Sequence, residues 1–368
     1  MRRTYGRLRI ADGRNLAVTG YGIMKKILSV ILCLLTAAVS LTGCDVNGSA
    51  LTDKSSRSLT ALDTVVEFTV YGDKDGSISD YLEKRLANYE NKFSVTIETS
   101  EVSDINSSDG EFKSVSSETY KLISKAVQIS EMTDGAFDIT VYPLVKEWGF
   151  TTGEYKVPDI KTVRSLLAIV GSDKIRFNEA DTSIKLLSGM SIDLGGIAKG
   201  YIAMKLTEIM KTEGLSSGLV SLGGNIHALG TKPDGSPWHV AVQHPQKSDG
   251  YLGVLSLNNE AAITSGGYQR YFEQDGEVYQ HIIDPKTGSP AKTDILSATV
   301  ITDDGAVGDA LSTALYVMGS EKALSFLENH REFKAVIFTE DGSLLISSSL
   351  KDSFTPDESV AGYQLIYF

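Results

Sequence analysis

The stretch Ser191-Ile192-Asp193-Leu194-Gly195-Gly196-Ile197-Ala198-Lys199-Gly200-Tyr201 constrains this chain most. It reads as a short apolar strand, two adjacent glycines, and a lysine in the opening turn of a helix that runs to about Glu213, before Gly214. Paired glycines let the backbone come close to a bulky group. A helix N-terminus offers unpaired N–H groups and a positive dipole end. A lysine beside it reads as a phosphate clamp. The pattern is neither a Walker loop nor G-x-G-x-x-G. Taken alone it is compatible with a nucleotide phosphate site and with a plain glycine-rich strand-to-helix turn.

Charge narrows the ligand. The 368-residue chain carries a formal net charge of −12. Seven basic residues against the single acid Asp12 precede Cys44, so the remainder carries −18. A body that acidic argues against a nucleic-acid binder. An anionic ligand there needs local basic groups or a metal ion. The length allows one large domain with a sizeable core.

The N-terminus reads as an address. Met24-Lys25-Lys26 is a basic start, Ile27–Ser40 an apolar run, and Leu41-Thr42-Gly43-Cys44 its end. The run is short for a membrane span and fits the apolar core of a signal peptide. Leu-Thr-Gly-Cys resembles a bacterial lipobox, which implies cleavage before Cys44 and a thioether-linked lipid on its sulfur; the alternative is a short transmembrane anchor. Both put the body outside the cytoplasmic membrane. Residues 1–23 hold five arginines and no core pattern, and read as a start-site extension ahead of Met24. Cys33 and Cys44 are the only cysteines, so a processed chain keeps no thiol for a disulfide or a cysteine metal site. The small polar residues from Asp45 to about Ser58 read as a flexible tether, with the domain at 60–368.

Along the body, Leu62–Tyr71 is a β-branched strand. Helices are expected over about 77–93, 117–132 and 158–170, with a polar loop over Glu98–Gly110. In the aromatic stretch Gly135–Phe150, Asp138 is a lone carboxylate in an apolar setting and must find donors on a ligand or in a loop. A hairpin around Glu179–Thr182 precedes the glycine stretch. Gly218–Ile226 is a second strand running into a Gly-Gly turn, and Asp275-Gly276 tips a later hairpin. Val307–Met318 is a helix on which Asp309 and Thr313 share a face beside Ser312. A carboxylate with hydroxyls is a hard-oxygen set suited to Mg²⁺ held partly by substrate phosphates. A solvated helix face is the plainer alternative. Helices and strands mix without regular βαβ alternation, so the fold class is α+β, a mixed single catalytic domain.

Six blocks, Gly135–Phe150, Asp193–Tyr201, Ser221–Asn225, Thr264–Tyr271, His281–Pro290 and Asp309–Thr313, resemble in order and spacing those of the ApbE family, the FAD:protein FMN transferases. The resemblance spans about 60–350. It implies that FAD binds with Mg²⁺ on its pyrophosphate, that a threonine hydroxyl of a target protein attacks the phosphorus next to riboflavin, and that AMP leaves. It implies as target a subunit of a membrane redox complex (Na⁺-translocating or Rnf-type), and as location the outer face of the cell membrane, since many members are lipoproteins. By resemblance Asp309 and Thr313 are metal ligands, with Ser312 and the Gly196 carbonyl completing the protein's share. Asp193, Lys199 and Ile282 would contact FAD, and Ala136-Phe137-Asp138 would line the adenine side. Leu62 and Thr96 also fall at ligand positions, although many members have Met-Gly-Thr where this chain has Leu62-Asp63-Thr64, and an aromatic at Thr96. His281 or Asp309 would be the base; for His281 the alternative is a structural histidine holding the turn before Asp284-Pro285. Arg270 is expected in an ion-pair or phosphate role. An FAD pyrophosphatase and a non-catalytic flavin-binding lipoprotein are the alternatives to transfer.

Overall fold

The computed structural model describes residues 53–368. The signal-like segment, Cys44 and the first part of the expected tether lie outside those residues. Nine strands form the main sheet: β1 (Lys54–Ala61), β2 (Thr64–Tyr71), β3 (Gly218–Leu222), β4 (Asn225–Leu229), β5 (Ala261–Ser265), β6 (Ile295–Thr302), β7 (Lys334–Thr339), β8 (Ser343–Ile346) and β9 (Gln364–Tyr367). They lie side by side in chain order, every pair antiparallel except β8 with β9. Six α-helices lie between β2 and β3 in the chain, the three longest being α1 (Ser77–Phe93), α2 (Ser117–Met132) and α3 (Ala198–Thr212). Another, α4 (Gly305–Met318), lies between β6 and β7.

Strand alternation sorts the two faces. On β6, Ala298 and Val300 join the core made with α3 and α4, through Ile202, Leu206, Ala310 and Leu311. Ile301 turns the other way, into a second core under the three-stranded sheet of Trp238–Gln243, Tyr251–Leu257 and Phe354–Pro356. A smaller cluster of Leu144, Trp148, Phe150, Val163 and Phe272 supports the hairpin of Tyr271–Gln274 and Glu277–Gln280.

The helices α3 and α4 touch backbone to backbone where they cross. A Cβ on Gly200 would fall 2.0 Å from the Gly305 carbonyl oxygen, and one on Gly305 2.2 Å from that of Gly200. Two glycines at one crossing let the second turn of α4 reach the N-terminus of α3.

The α+β class, the helices at 77–93 and 117–132, and the hairpin before the glycine stretch match the expectations. Three local readings change. Lys54–Ser58, assigned to the tether, forms part of β1 and pairs with β2 from Lys54↔Tyr71 onward; its alternating small side chains suit a half-buried edge strand better than their polarity suggests. The loop expected over Glu98–Gly110 contains a short helix, Glu101–Asn106, started by the Ser100 side chain accepting from Ser103 N–H. Ser191–Leu194 carries no strand pairing. Its anchors are single bonds: Asn106 holds the N–H and C=O of Ile192, and Asp193 N–H donates to Ile139 O at 2.8 Å. Among the described residues no helix is long and apolar enough to cross a membrane.

Candidate active site

The site is assembled at the N-terminal half of α4. The Asp304 side chain caps that helix by accepting from Ala306 N–H and Val307 N–H. One turn on, Asp309 is 3% exposed. Its Oδ2 accepts from Gly200 N–H at 2.9 Å, and its Oδ1 accepts from Asn225 Nδ2 at 2.9 Å. Lys199 Nζ lies 3.9 Å from Oδ1 and donates to Gly195 O at 3.0 Å. A buried carboxylate needs such partners, and here they come from the opening of α3 and from the turn between β3 and β4.

Hydroxyls stand beside it. Ser312 Oγ donates to the Asp309 carbonyl oxygen at 2.9 Å. Ser265, the last residue of β5, has its Oγ 2.8 Å from Ser312 Oγ and 3.0 Å from Thr313 Oγ1. Gly196 closes the group: a Cβ there would lie 4.0 Å from Thr313 Oγ1 and 3.1 Å from Phe137 Cε2.

Asp193 accepts from Gly195 N–H at 2.8 Å, which shapes the turn ahead of Gly196. Burial pushes the Asp193 carboxyl above the usual carboxylate range, against the Gly195 N–H and the positive charges of Lys199 and Arg270. His281 follows the hairpin. Its backbone N–H donates to Arg270 O at 3.0 Å, and its Nδ1 lies 3.1 Å from the same oxygen. A carbonyl only accepts, so Nδ1 carries the proton and Nε2 keeps a free lone pair. Burial lowers the imidazole to about 4, with Arg270 and Lys199 adding to the shift. The ring is therefore neutral at pH 7. Lys199 and Arg270 act on both Asp193 and His281, so the four groups share one electrostatic neighbourhood.

The remaining expected residues divide. Phe137, 4% exposed, packs its ring against Gly196, next to buried Ala136. Ile282 is buried, with Gln280 bonding its N–H at 2.6 Å and its C=O at 3.1 Å. Leu62 holds φ 54° at the β1–β2 turn and donates its N–H to Glu90 Oε1 at 2.7 Å. That turn lies beside Gly223, whose N–H donates to Val65 O at 3.0 Å. Asp138 is engaged within the protein: Thr140 N–H, Thr140 Oγ1, Ser172 N–H and Ser172 Oγ donate to it at 2.6–2.9 Å. Thr96 sits exposed after α1, its Oγ1 3.0 Å from Ser94 Oγ. Arg270 spends Nη2 on Phe150 O at 2.7 Å.

Two contributors escaped the residue-by-residue reading, Asn225 and Ser265. Both lie in blocks singled out above, each adjoining a glycine pair at a strand end, Gly223-Gly224 and Gly266-Gly267. Among the described residues no group of three or more His, Cys, Asp or Glu is placed to hold a metal ion. The group around Thr313 offers one carboxylate, three hydroxyls and a backbone carbonyl. This all-oxygen set fits Mg²⁺, which binds through one or two carboxylates and takes the rest of its shell from water and phosphate.

The sequence profile of the ApbE family matches residues 62–337. A FAD:protein FMN transferase of Klebsiella pneumoniae (strain 342) is 34% identical over 295 residues, covering 79% of this chain and 91% of that protein. The crystal structure of the ApbE protein from Thermotoga maritima superposes with a TM-score of 0.76 at 34% identity, covering 81% of this chain and 98% of the other. The flavin transferase ApbE from Vibrio cholerae gives 0.70 at 26%, covering 84% and 99%. A family profile spanning most of the described domain, a relative matched over nine-tenths of its length and the shared fold agree: this chain belongs to the ApbE family.

Proposed function

We propose that the protein is an FAD:protein FMN transferase that uses Mg²⁺ and joins FMN to a threonine hydroxyl of a target protein. The observation that carries this is the juxtaposition of the Asp309–Ser312–Thr313 oxygens with Gly196 and Lys199, next to the electrostatic neighbourhood of a neutral histidine. The names of the relatives support it. An acidic body has little cationic surface for a pyrophosphate, and a divalent ion on hard oxygens meets that need.

Phosphoryl transfer asks for positioning and charge neutralisation more than for covalent chemistry. Bound Mg²⁺ would neutralise the pyrophosphate and stabilise the departing AMP. Asp309, Ser312, Thr313 and the Gly196 carbonyl would hold it. Lys199 adds a second cation on the same side, and Phe137 offers an apolar wall. The threonine oxygen bonds to the FMN-side phosphorus, the bond from that phosphorus to the bridging oxygen breaks, and AMP leaves with that oxygen. His281 Nε2 takes the threonine proton. The target in this reading is a subunit of a membrane redox complex, reached at the extracytoplasmic face by a protein tethered through lipid on Cys44.

The test is incubation with FAD, Mg²⁺ and a threonine-bearing target peptide. The expected result is a peptide heavier by FMN and an equal amount of AMP. Free FMN with unmodified peptide would instead make the protein an FAD pyrophosphatase. Bound FAD without turnover would make it a flavin-binding lipoprotein.

A further inference from the structure

Beside Asp309 three hydroxyl protons meet four contacts, and one order turns the three shortest of them into hydrogen bonds. The Asp309 carbonyl oxygen has no proton, so in its 2.9 Å contact Ser312 Oγ is the donor. Ser312 has then used its only proton, and in the 2.8 Å contact Ser265 Oγ donates to Ser312. Ser265 has used its proton in turn, so the 3.0 Å contact is a hydrogen bond only if Thr313 Oγ1 donates to Ser265. A helical threonine ordinarily donates to the carbonyl four residues back. Here that contact is the longest of the set, 3.4 Å from Thr313 Oγ1 to Asp309 O.

From this chain we infer that Ser265 is a positioning residue for the metal site. It takes up the Thr313 proton, which leaves the Thr313 Oγ1 lone pairs for a cation. β5 is antiparallel to β6, and Ser265 pairs with Ala298, whose side chain lies in the core shared with α4. The strand therefore aims the Ser265 hydroxyl at α4. Ser265 itself is engaged twice and acts through Thr313.

The inference rests on the Mg²⁺ reading of the site, and its test separates the two. Mg²⁺ binding to the FAD-loaded protein is measured by calorimetry, and Mn²⁺ binding by electron paramagnetic resonance. If the wild type binds neither ion, the metal reading fails. If it binds, Ser265→Ala is expected to weaken binding about 5- to 10-fold, the effect of one lost hydrogen bond of about 1 kcal/mol, and Ser265→Thr to restore it. In a Thr313→Ala background the same Ser265→Ala change should cost less than 2-fold, because the partner it orients is gone. Equal losses in both backgrounds would make Ser265 an independent ligand, and no loss in either would remove it from the site; both outcomes overturn the inference. Should Ser265→Ala not fold, Ser265→Cys, which keeps the size but bonds weakly, replaces it against Ser265→Thr.

Discussion

His281 shows how one side chain takes its chemistry from its surroundings. Its Nδ1 is fixed by Arg270 O, and burial lowers the ring to about 4. If it takes the threonine proton, His281→Ala should cut peptide flavinylation about 10²- to 10⁴-fold with little change in FAD affinity. The wild-type kcat/KM reports the free enzyme, so it should stay level from pH 8 to about 6 and fall only toward about 4. An inflection near the ordinary histidine value would contradict this environment. Asn106 is a different case. Its Oδ1 accepts from Ile192 N–H at 2.7 Å and its Nδ2 donates to Ile192 O at 2.9 Å, one residue before Asp193. Ile192 is fully buried, so Asn106→Ala leaves two backbone groups without partners, at roughly 1–3 kcal/mol each. We expect a loss of roughly 2 kcal/mol or more in urea unfolding together with weaker FAD binding.

At the scale of elements, the site depends on the crossing of α3 and α4. Gly200 donates its N–H to Asp309 and also gives room to Gly305. Gly200→Ala sets a methyl 2.0 Å from a backbone oxygen, so the helices must part. Overpacking of this kind typically costs about 1–3 kcal/mol and here moves Asp309 as well. Gly224→Ala is the contrast. It is strained at φ 91° but meets nothing within 4 Å, and should cost about 1 kcal/mol. Thermal unfolding should rank Gly200→Ala clearly below Gly224→Ala, and FAD-dependent activity should follow. Equal midpoints would show that the crossing can relax. The same elements show how legible the chain was. The amphipathic spacing of Leu82, Leu86 and Tyr89 gave α1 its place, because a helix face must be buried. The short helix Glu101–Asn106 was hidden because six residues carry little periodicity and its start rests on one serine cap.

The whole molecule carries a further titration. His227 on β4 is 6% exposed, its Nδ1 has no hydrogen-bond partner, and burial lowers it to about 4. Between about 4 and the unfolded value of about 6.5 the unfolded chain binds a proton that the folded chain does not. The His227 share of stability should therefore be level above pH 6.5, fall by roughly 3 kcal/mol as pH drops through that window, and level off below it, with His281, also lowered to about 4, adding to the fall in the same window. Urea midpoints at pH 7.5 and pH 4.5 measure this. His227→Gln should reduce the drop, and an unchanged drop would assign it to other groups. On the same scale, the main sheet has its strands in chain order while the segment between β2 and β3 supplies six of the α-helices. That order follows from antiparallel neighbours joined by turns or by excursions that return to the adjacent edge.

Residue types and local spacing were enough for the α+β class, for most helices and strands, and for the pairing of Asp309 with Thr313 on one helical face. Those features depend on periodicities of 3.6 and 2, which a chain states without folding. The glycine stretch is where the two sources part. By itself it was compatible with a phosphate turn clamped by Lys199 and with a plain glycine-rich strand-to-helix turn. Folding put Lys199 Nζ 3.9 Å from Asp309 Oδ1, joined Gly200 N–H to the same carboxylate, and brought Ser265 from β5 to Thr313. It also gave Asp138 to Thr140 and Ser172. These are contacts between residues as many as 110 positions apart. Which donor meets a buried carboxylate is settled by strand order and helix crossing, and neither is written in any local run of residues.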